Sequence, residues 1–333
     1  MDAVRIGLIG AGGIAQAHVR AYRHLAAEGL VRVAAVCDAV ADAAARRARE
    51  LSAPHAVSDY RDLLSLEVDA VDICLPHDLH AEVALAAMAR GKHTLVEKPL
   101  ATTLEDAGRM VRAARTAGVV LQVGHNERFD PQYQEMKRRI DDGVLGAIVA
   151  ARADHNQHVR LPEGHWLRSA VRSGGGALIG SGIHRVDLLR WFLGEVSEVY
   201  SVQRTLPDRL EGEAVALTTL RFASGAIASL STNWAVRRAP WYELMWLYGT
   251  RGSMHNVSGL HLDREVLADC DAGFIRVPLT AADSFTEEIR HFAHAVATGA
   301  EPLTSGEEGA RSLAVCLAAY RSARLGQPVA VAR

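Results

Sequence analysis

Val4-Arg5-Ile6-Gly7-Leu8-Ile9-Gly10-Ala11-Gly12-Gly13-Ile14-Ala15 decides how the rest of this chain is read. The run ending at Ile9 is apolar enough for a strand buried on both faces. A helical pattern from Gln16 to about Ala27 follows the glycines. Gly10, Gly12 and Ala15 stand at the spacing of a dinucleotide-binding turn, with Ala in the third place. Gly10 lets the backbone turn sharply, Gly12 lets it approach a pyrophosphate without a Cβ in the way, and Ala15 lets helix and strand lie close. Gly13 and Ile14 fill the same turn and count with it as cofactor-binding positions. The helix start then offers unpaired N–H groups and partial positive charge to phosphates. A second apolar run, Val31 to Cys37, ends at Asp38. An acid there accepts hydrogen bonds from an adenosine ribose and repels a 2′-phosphate, which favours NAD over NADP. The other reading of Asp38 is a cap for a helix over Ala41–Leu51.

At 333 residues the chain exceeds what one core usually holds, so two domains are expected. Apolar residues at 49% and charged residues at 23% describe an ordinary globular protein. A net charge of −2 gives no electrostatic case for nucleic acid or an anionic membrane as partner. No apolar run reaches the length of a bilayer span, and an immediate strand leaves no room for a signal peptide. Cys37, Cys74, Cys270 and Cys316 lie far apart without a CxxC pair, which points to a reducing cytoplasm.

Outward from the turn, short apolar runs alternate with helical patterns as far as Gly124. Strands are expected over 70–75, 94–96 and 119–123, with helices over Asp59–Leu66, Glu82–Arg90 and Leu104–Ala117. Gly91 and Gly118 stand in the favoured place just past a helix. This alternation predicts an α/β, doubly wound parallel sheet over residues 1–124. Beyond it the rhythm changes. After a helix at Gln132–Ile140, strands are expected at 147–156, 196–205, 214–222, 226–234, 242–248 and 253–257. Helices are expected from about His184 to Leu193, at Thr286–Ala297 and at Glu307–Ala323. Adjacent strands with few helices predict an α+β domain over 125–333, its open sheet mostly antiparallel and its final helices packing back toward the first domain.

Two constellations carry chemistry. Glu97-Lys98-Pro99 ends a parallel strand, at the edge where such sheets bind ligands. Burial beside a cationic ring would lower the lysine and let it share a proton with a substrate hydroxyl; a solvated strand-end lysine is the plainer reading. The second runs Gly174-Gly175-Gly176 to Gly182-Ile183-His184-Arg185-Val186-Asp187. A histidine opening a helix is held largely neutral by the dipole, the form a general base needs; taken in isolation, a capping or packing residue is the favoured reading. Asp187 reads as a structural first-turn acid. His125 and Arg128 after the last parallel strand, His155 at a strand end and Trp166 in a loop suit a polyol's hydroxyls and C–H faces. The histidines show no metal spacing, so no metal is expected.

The turn with Asp38, Pro76 to His80, Glu97-Lys98-Pro99, Gly124-His125-Asn126-Glu127-Arg128-Phe129, the glycine run to His184 and Asp187, and Gly249-Thr250-x-Gly252 occur in that order. The set resembles the glucose–fructose oxidoreductase / inositol dehydrogenase / MocA (Gfo/Idh/MocA) family over essentially the whole chain. The resemblance implies a Rossmann domain followed by a mixed-sheet domain, and hydride transfer between nicotinamide and a secondary alcohol or ketone of a sugar, cyclitol or related polyol. It implies that Lys98 and His184 handle the proton, and that Gly10, Gly12, Asp38, Pro76, His80, Glu97 and Lys98 lie along the cofactor. Alternatives are NAD-dependent lyase or glycosidase chemistry through a transient ketone, and a nucleotide sensor without turnover. One departure stands out: family dehydrogenases often carry an acid four residues before the histidine, where this chain has Gly180. The missing side chain is expected to leave room for a bulkier substrate. Strands such as Ala214-Val215-Ala216-Leu217, apolar on both sides, imply a homo-oligomer, dimer or tetramer.

Overall fold

The computed structural model describes residues 3–239, 243–264 and 275–332; Cys270 and Tyr242 lie outside them. In chain order the elements begin β1 (Val4–Ile9), α1 (Ala15–Ala27), β2 (Val31–Cys37), α2 (Ala41–Glu50), β3 (His55–Val57), α3 (Tyr60–Leu63), β4 (Ala70–Ile73) and α4 (His80–Met88). They continue with β5 (His93–Glu97), α5 (Leu104–Ala117), β6 (Leu121–Gly124), α6 (Pro131–Asp141), β7 (Ile148–Asn156), α7 (Ala170–Ser173) and α8 (Ile183–Leu193). Then come β8 (Val196–Thr205), β9 (Glu213–Phe222), β10 (Ile227–Asn233), β11 (Glu243–Gly249), β12 (Gly252–His255), β13 (His261–Arg264) and β14 (Ile275–Arg276). The chain closes with α9 (Ser284–Thr298), α10 (Gly306–Leu325) and β15 (Val329–Ala330).

The chain divides into two compact units, Met1–Phe129 with Ala282–Ala310, and Asp130–Ala281 with Arg311–Arg333. The first holds a six-stranded sheet in the order β3-β2-β1-β4-β5-β6, with every pairing parallel. The order reverses between β1 and β4, the switch point at which such sheets bind ligands. Gly91 and Gly118 close α4 and α5 with φ of 68° and 66°, conformations that cost a glycine little. Late in sequence, α9 joins this unit because Ile289, Phe292, Ala293 and Ala295 complete the core made by β1, β2 and α1.

The second unit holds nine strands in the order β14-β13-β12-β11-β7-β10-β9-β8-β15. Its pairings are antiparallel except β7 with β10. One sheet face packs on α8 and α10 through Leu188, Leu189, Val199, Leu220, Leu230 and Val315. Several elements differ from the sequence expectation. The helix expected over Asp59–Leu66 is the single turn α3, capped by the Asp59 side chain accepting from the Arg61 N–H. Strand β3 carries too little apolar alternation to be read, being three residues at a sheet edge. The two-residue edge strands β14 and β15 escape for the same reason, and β13, four residues long, is too short to show a pattern.

Candidate functional site

The glycine turn has the geometry its sequence requires. Gly10 adopts φ 102°, and a Cβ there would lie 2.2 Å from the Cys74 carbonyl oxygen. No other residue fits the position without moving β4. A Cβ at Gly12 or Gly13 would meet nothing within 4 Å, and both glycines and Ile14 are exposed. The turn therefore presents backbone, and the start of α1 behind it, to an open approach. Asp38 stands directly across: one carboxylate oxygen accepts from the Ala11 N–H at 2.8 Å and the other from the Val40 N–H at 2.8 Å. It thus ties the end of β2 to the turn and also forms a local bend ahead of α2, whose own cap is Val40. These residues fit a dinucleotide: an exposed glycine turn with open space over Gly12 and Gly13 at the start of a helix, and a carboxylate at the tip of the next strand.

Next to the turn, the ends of β4 and β5 are joined by His80. Its Nδ1 lies 2.8 Å from the Pro99 carbonyl and its Nε2 2.9 Å from the Leu75 carbonyl, and burial lowers its pKa. A neutral ring donates to one of the two carbonyls, so His80 fixes the wall on which Pro76 and Lys98 stand. Glu97 is buried, and its Oε2 accepts the Lys98 backbone N–H at 3.1 Å. The Lys98–Pro99 peptide is cis. Burial lowers the Lys98 ammonium, while Glu97 and Glu127 oppose that shift. The lysine is therefore closer to sharing a proton than a surface lysine. Arg128 faces inward: its guanidinium donates to the Leu303 carbonyl at 3.2 Å and to Glu308 at 2.8 Å. That geometry anchors the segment after β6 to the start of α10. His125 is completely buried at the head of the same segment.

In the second unit, His155 on β7 and His184 on α8 come together, their rings stacked at 6.3 Å with an interplanar angle of 17°. Trp166 lies in a helical turn over Trp166–Arg168, half-buried and stacked on His165 at 5.8 Å. Asp187 accepts from Ser312 at 3.0 Å, and Ser312 accepts from Arg190 at 2.9 Å, a buried structural network.

Two expectations are corrected here. His184 does not open a helix. Helical backbone begins near Ala177, passes through a π-helical turn at Leu178–Gly182 and runs into α8, so His184 sits about two turns inside. The orphan N–H groups belong to Gly176–Ile179, where Glu213 accepts from Leu178 at 2.7 Å and the Tyr320 hydroxyl accepts from Gly176 and Ile179 at 3.2 Å each. No terminal dipole therefore acts on the His184 ring, and a π-turn places it instead. The glycine run serves this close packing: a Cβ at Gly176 would lie 2.1 Å from the Glu213 carbonyl oxygen.

Nor does Gly180 leave room for substrate. A Cβ there would lie 2.4 Å from the Trp234 ring, which already occupies the space. Trp234 is buried and held by its indole N–H donating to Ser181 at 2.7 Å. Sequence reasoning passed over Trp234 as the end of a strand. Its signal was the inward alternation of β10, which Trp234 extends by one more step.

Residues 4–125 match the model of an oxidoreductase family with an NAD-binding Rossmann fold, GFO_IDH_MocA, and residues 133–255 match the GFO/IDH/MocA C-terminal domain. The chain is 32% identical over 336 residues to the 1,5-anhydro-D-fructose reductase of Ensifer adhaerens, covering 97% of each protein. It is 30% identical to the myo-inositol 2-dehydrogenase of Thermotoga maritima, covering 96% of each. Among solved structures, a levoglucosan dehydrogenase in complex with NADH and levoglucosan superposes with a TM-score of 0.92. That pair is 26% identical, over 99% of this chain and 100% of the other. With both domains matched in order and along nearly its whole length, this chain belongs to the Gfo/Idh/MocA oxidoreductase family.

Proposed function

We propose that this protein is an NAD-dependent oxidoreductase acting between a secondary alcohol and a ketone on a sugar, cyclitol or related polyol. The observation that carries the reading is that the Gly10–Asp38 turn and a half-buried strand-end lysine, Lys98, belong to one unit. Gly10, Gly12, Gly13, Ile14, Asp38, Pro76, His80, Glu97 and Lys98 would hold the dinucleotide, with the Asp38 carboxylate disfavouring a 2′-phosphate. Bound nicotinamide supplies the hydride acceptor or donor. The chain's own residues handle the proton. Lys98, its ammonium weakened by burial, polarises the reacting hydroxyl and relays its proton, and His184, aligned by His155, is the general base. His125, Arg128, His155 and Trp166 are the proposed substrate-side residues. Of these, Arg128 acts through the backbone it anchors, because its guanidinium is taken up by Leu303 and Glu308.

A reducing compartment, the cytoplasm, suits the buried free thiols of Cys37, Cys74 and Cys316. No helix among the described residues is long and apolar enough to cross a membrane. The uncovered sheet face of the second unit supports a homo-oligomer.

The test is a screen of sugars, cyclitols and anhydrosugars for NADH formation. At least one class is expected to yield net NADH, which separates this reading from a lyase that returns its NAD each cycle. Lys98→Met is expected to lower turnover by about 10²-fold or more while NADH affinity stays within a few-fold, the scale of lost acid–base assistance. Unchanged turnover in that variant removes Lys98 from the chemistry. A folded, NADH-binding protein that oxidises or reduces none of these compounds overturns the reading.

A further inference from the structure

Behind Glu97 the first unit buries more ionisable groups than its hydrogen bonds serve. His18 on α1 is wholly inside, with Nδ1 2.7 Å from Asp72 Oδ2 and Nε2 3.0 Å from Glu97 Oε1. Tyr22 donates to the same Asp72 oxygen at 2.8 Å, and Cys74 Sγ lies 3.6 Å from the other. From α9 comes Glu288, at 0% exposure, and neither of its carboxylate oxygens has a hydrogen-bond partner. Gln122 reaches Glu288 at its backbone carbonyl, 3.2 Å away, and the Gln122 amide oxygen is itself unpaired. Gly124 keeps space for the group, since a Cβ there would press at 3.2 Å on Glu97 Cδ and Oε1.

An imidazole set between two carboxylates donates to both only when both ring nitrogens carry protons. Burial alone would lower the His18 pKa, but the adjoining Asp72 carboxylate overrides it and the net shift is well upward. Glu97 is then pinned at both oxygens, Oε1 by His18 and Oε2 by the Lys98 N–H. The charge count is unbalanced: Asp72, Glu97 and Glu288 are acids, and His18 is the cation among them, with Lys98 and His80 bordering Glu97. Three carboxylates do not all ionise in so dry a place. Glu288, with no donor on either oxygen, is the one that keeps its proton. Burial and then Glu97 push it well above the usual carboxylate range. A metal reading of His18, Asp72 and Cys74 is the poorer one. His18 Nδ1 is already committed to Asp72, and the thiol, pushed up to about 12 by burial, stays protonated.

We propose that Asp72 and His18 form a positioning pair for Glu97, and through it for Lys98, and that Glu288 is the proton-bearing member completing this buried group. The proposal rests on the assignment of Lys98 to the reacting group, but its test needs no turnover. In the full-length protein, the pH dependence of Lys98 acetylation, read by peptide mass spectrometry, reports the titration of that amine. His18→Gln frees Glu97 and withdraws its fixed negative charge from Lys98. The expected result is a Lys98 midpoint lowered by about one pH unit, in the same direction as Glu97→Gln. Glu288→Gln mimics the protonated acid. It is expected to leave the Lys98 midpoint in place and to flatten the decline of Tm between pH 5 and 9.

A His18→Gln protein that loses stability with an unmoved Lys98 midpoint makes His18 merely structural and overturns the proposal. Loss of Tm at pH 8 in Glu288→Gln would show an ionised, partnered Glu288 and overturn it equally. Should His18→Gln fail to fold, ring-labelled wild type decides the matter. Two slowly exchanging ring protons on one buried histidine at pH 8 support the proposal, and a single one refutes it. A Lys98 shift in a protein that oxidises no polyol supports the positioning pair while overturning the functional reading.

Discussion

Gly180 shows how a residue can be misjudged when only its own side chain is considered. A missing carboxylate reads as vacated space, but the neighbour decides whether space exists, and here Trp234 fills it. The indole is held in place by Ser181, whose own hydroxyl bonds back to the Ala177 carbonyl. Gly180→Ala is therefore expected to lower stability by about 1–3 kcal/mol, the cost of overpacking a filled core, with Gly180→Asp costing more because it adds a charge to desolvate. Chemical denaturation of the single variants, and of Gly180→Ala combined with Trp234→Leu, measures this. Near-additive losses in the double variant would mean that the two side chains do not compete. Lys98 and Asp38 were legible for the opposite reason. Each is a charged residue at a strand end, so its place follows from the sheet register, whereas the positions of Trp234 and Glu288 follow from tertiary packing.

At the scale of elements, the long alternating pattern of the first unit could be read almost to the residue, because buried parallel strands and capped helices leave strong local signals. The start of α8 could not. Its glycines suggested a loop before a helix, and the π-turn at Leu178–Gly182 depends on partners far along the chain, Glu213 on β9 and Tyr320 on α10. Those partners have a measurable consequence. Burial pushes the Glu213 carboxyl up to about 7 from an ordinary 4.5, against the helix-start N–H groups and the Tyr320 hydroxyl, which lower it. The folded state then holds this proton more tightly than the unfolded chain does. Stability from Glu213 is full below about pH 4.5 and is lost as pH rises toward 7. The difference is of order 3 kcal/mol. Glu213→Gln keeps an acceptor for Leu178 and cannot ionise. It is expected to match wild type near pH 5 and to equal or exceed it at pH 8 in denaturant titrations. A variant weaker than wild type at pH 8 would mean that Glu213 works as an anion at the helix start.

For the molecule as a whole, the informative surface is the face of the second unit's sheet that carries no helix. The strands were expected to be apolar on both sides, and β9 bears this out unevenly. Ala214, Ala216 and Leu220 point into the core, whereas Leu217 stands 58% exposed. Val202, paired with it on β8, is 57% exposed; elsewhere in the sheet Ile227 is 51% and Val149 49% exposed, and Tyr200 and Tyr248 are exposed too. Isolated exposed apolar residues need no explanation, but several large ones recurring across the neighbouring strands β8, β9, β10, β7 and β11 are uncommon on a monomer. A second copy of the same face can cover it about a two-fold axis, since residues at the centre of such an interface meet their own equivalents. Arg152 and Arg221, outward on the same strands, lie among these apolar residues, Arg221 directly opposite Ile227, and keep the face soluble before assembly. Sedimentation velocity is expected to give a dimer or tetramer for wild type at micromolar concentration. Leu217→Glu with Val202→Glu, which would set like charges against each other across the axis, is expected to shift that species toward monomer. Both substitutions sit on the solvent side of their strands, so the far-ultraviolet spectrum should be kept. A wild type that sediments as a monomer across the concentration range would leave this face to another partner and remove the self-association argument.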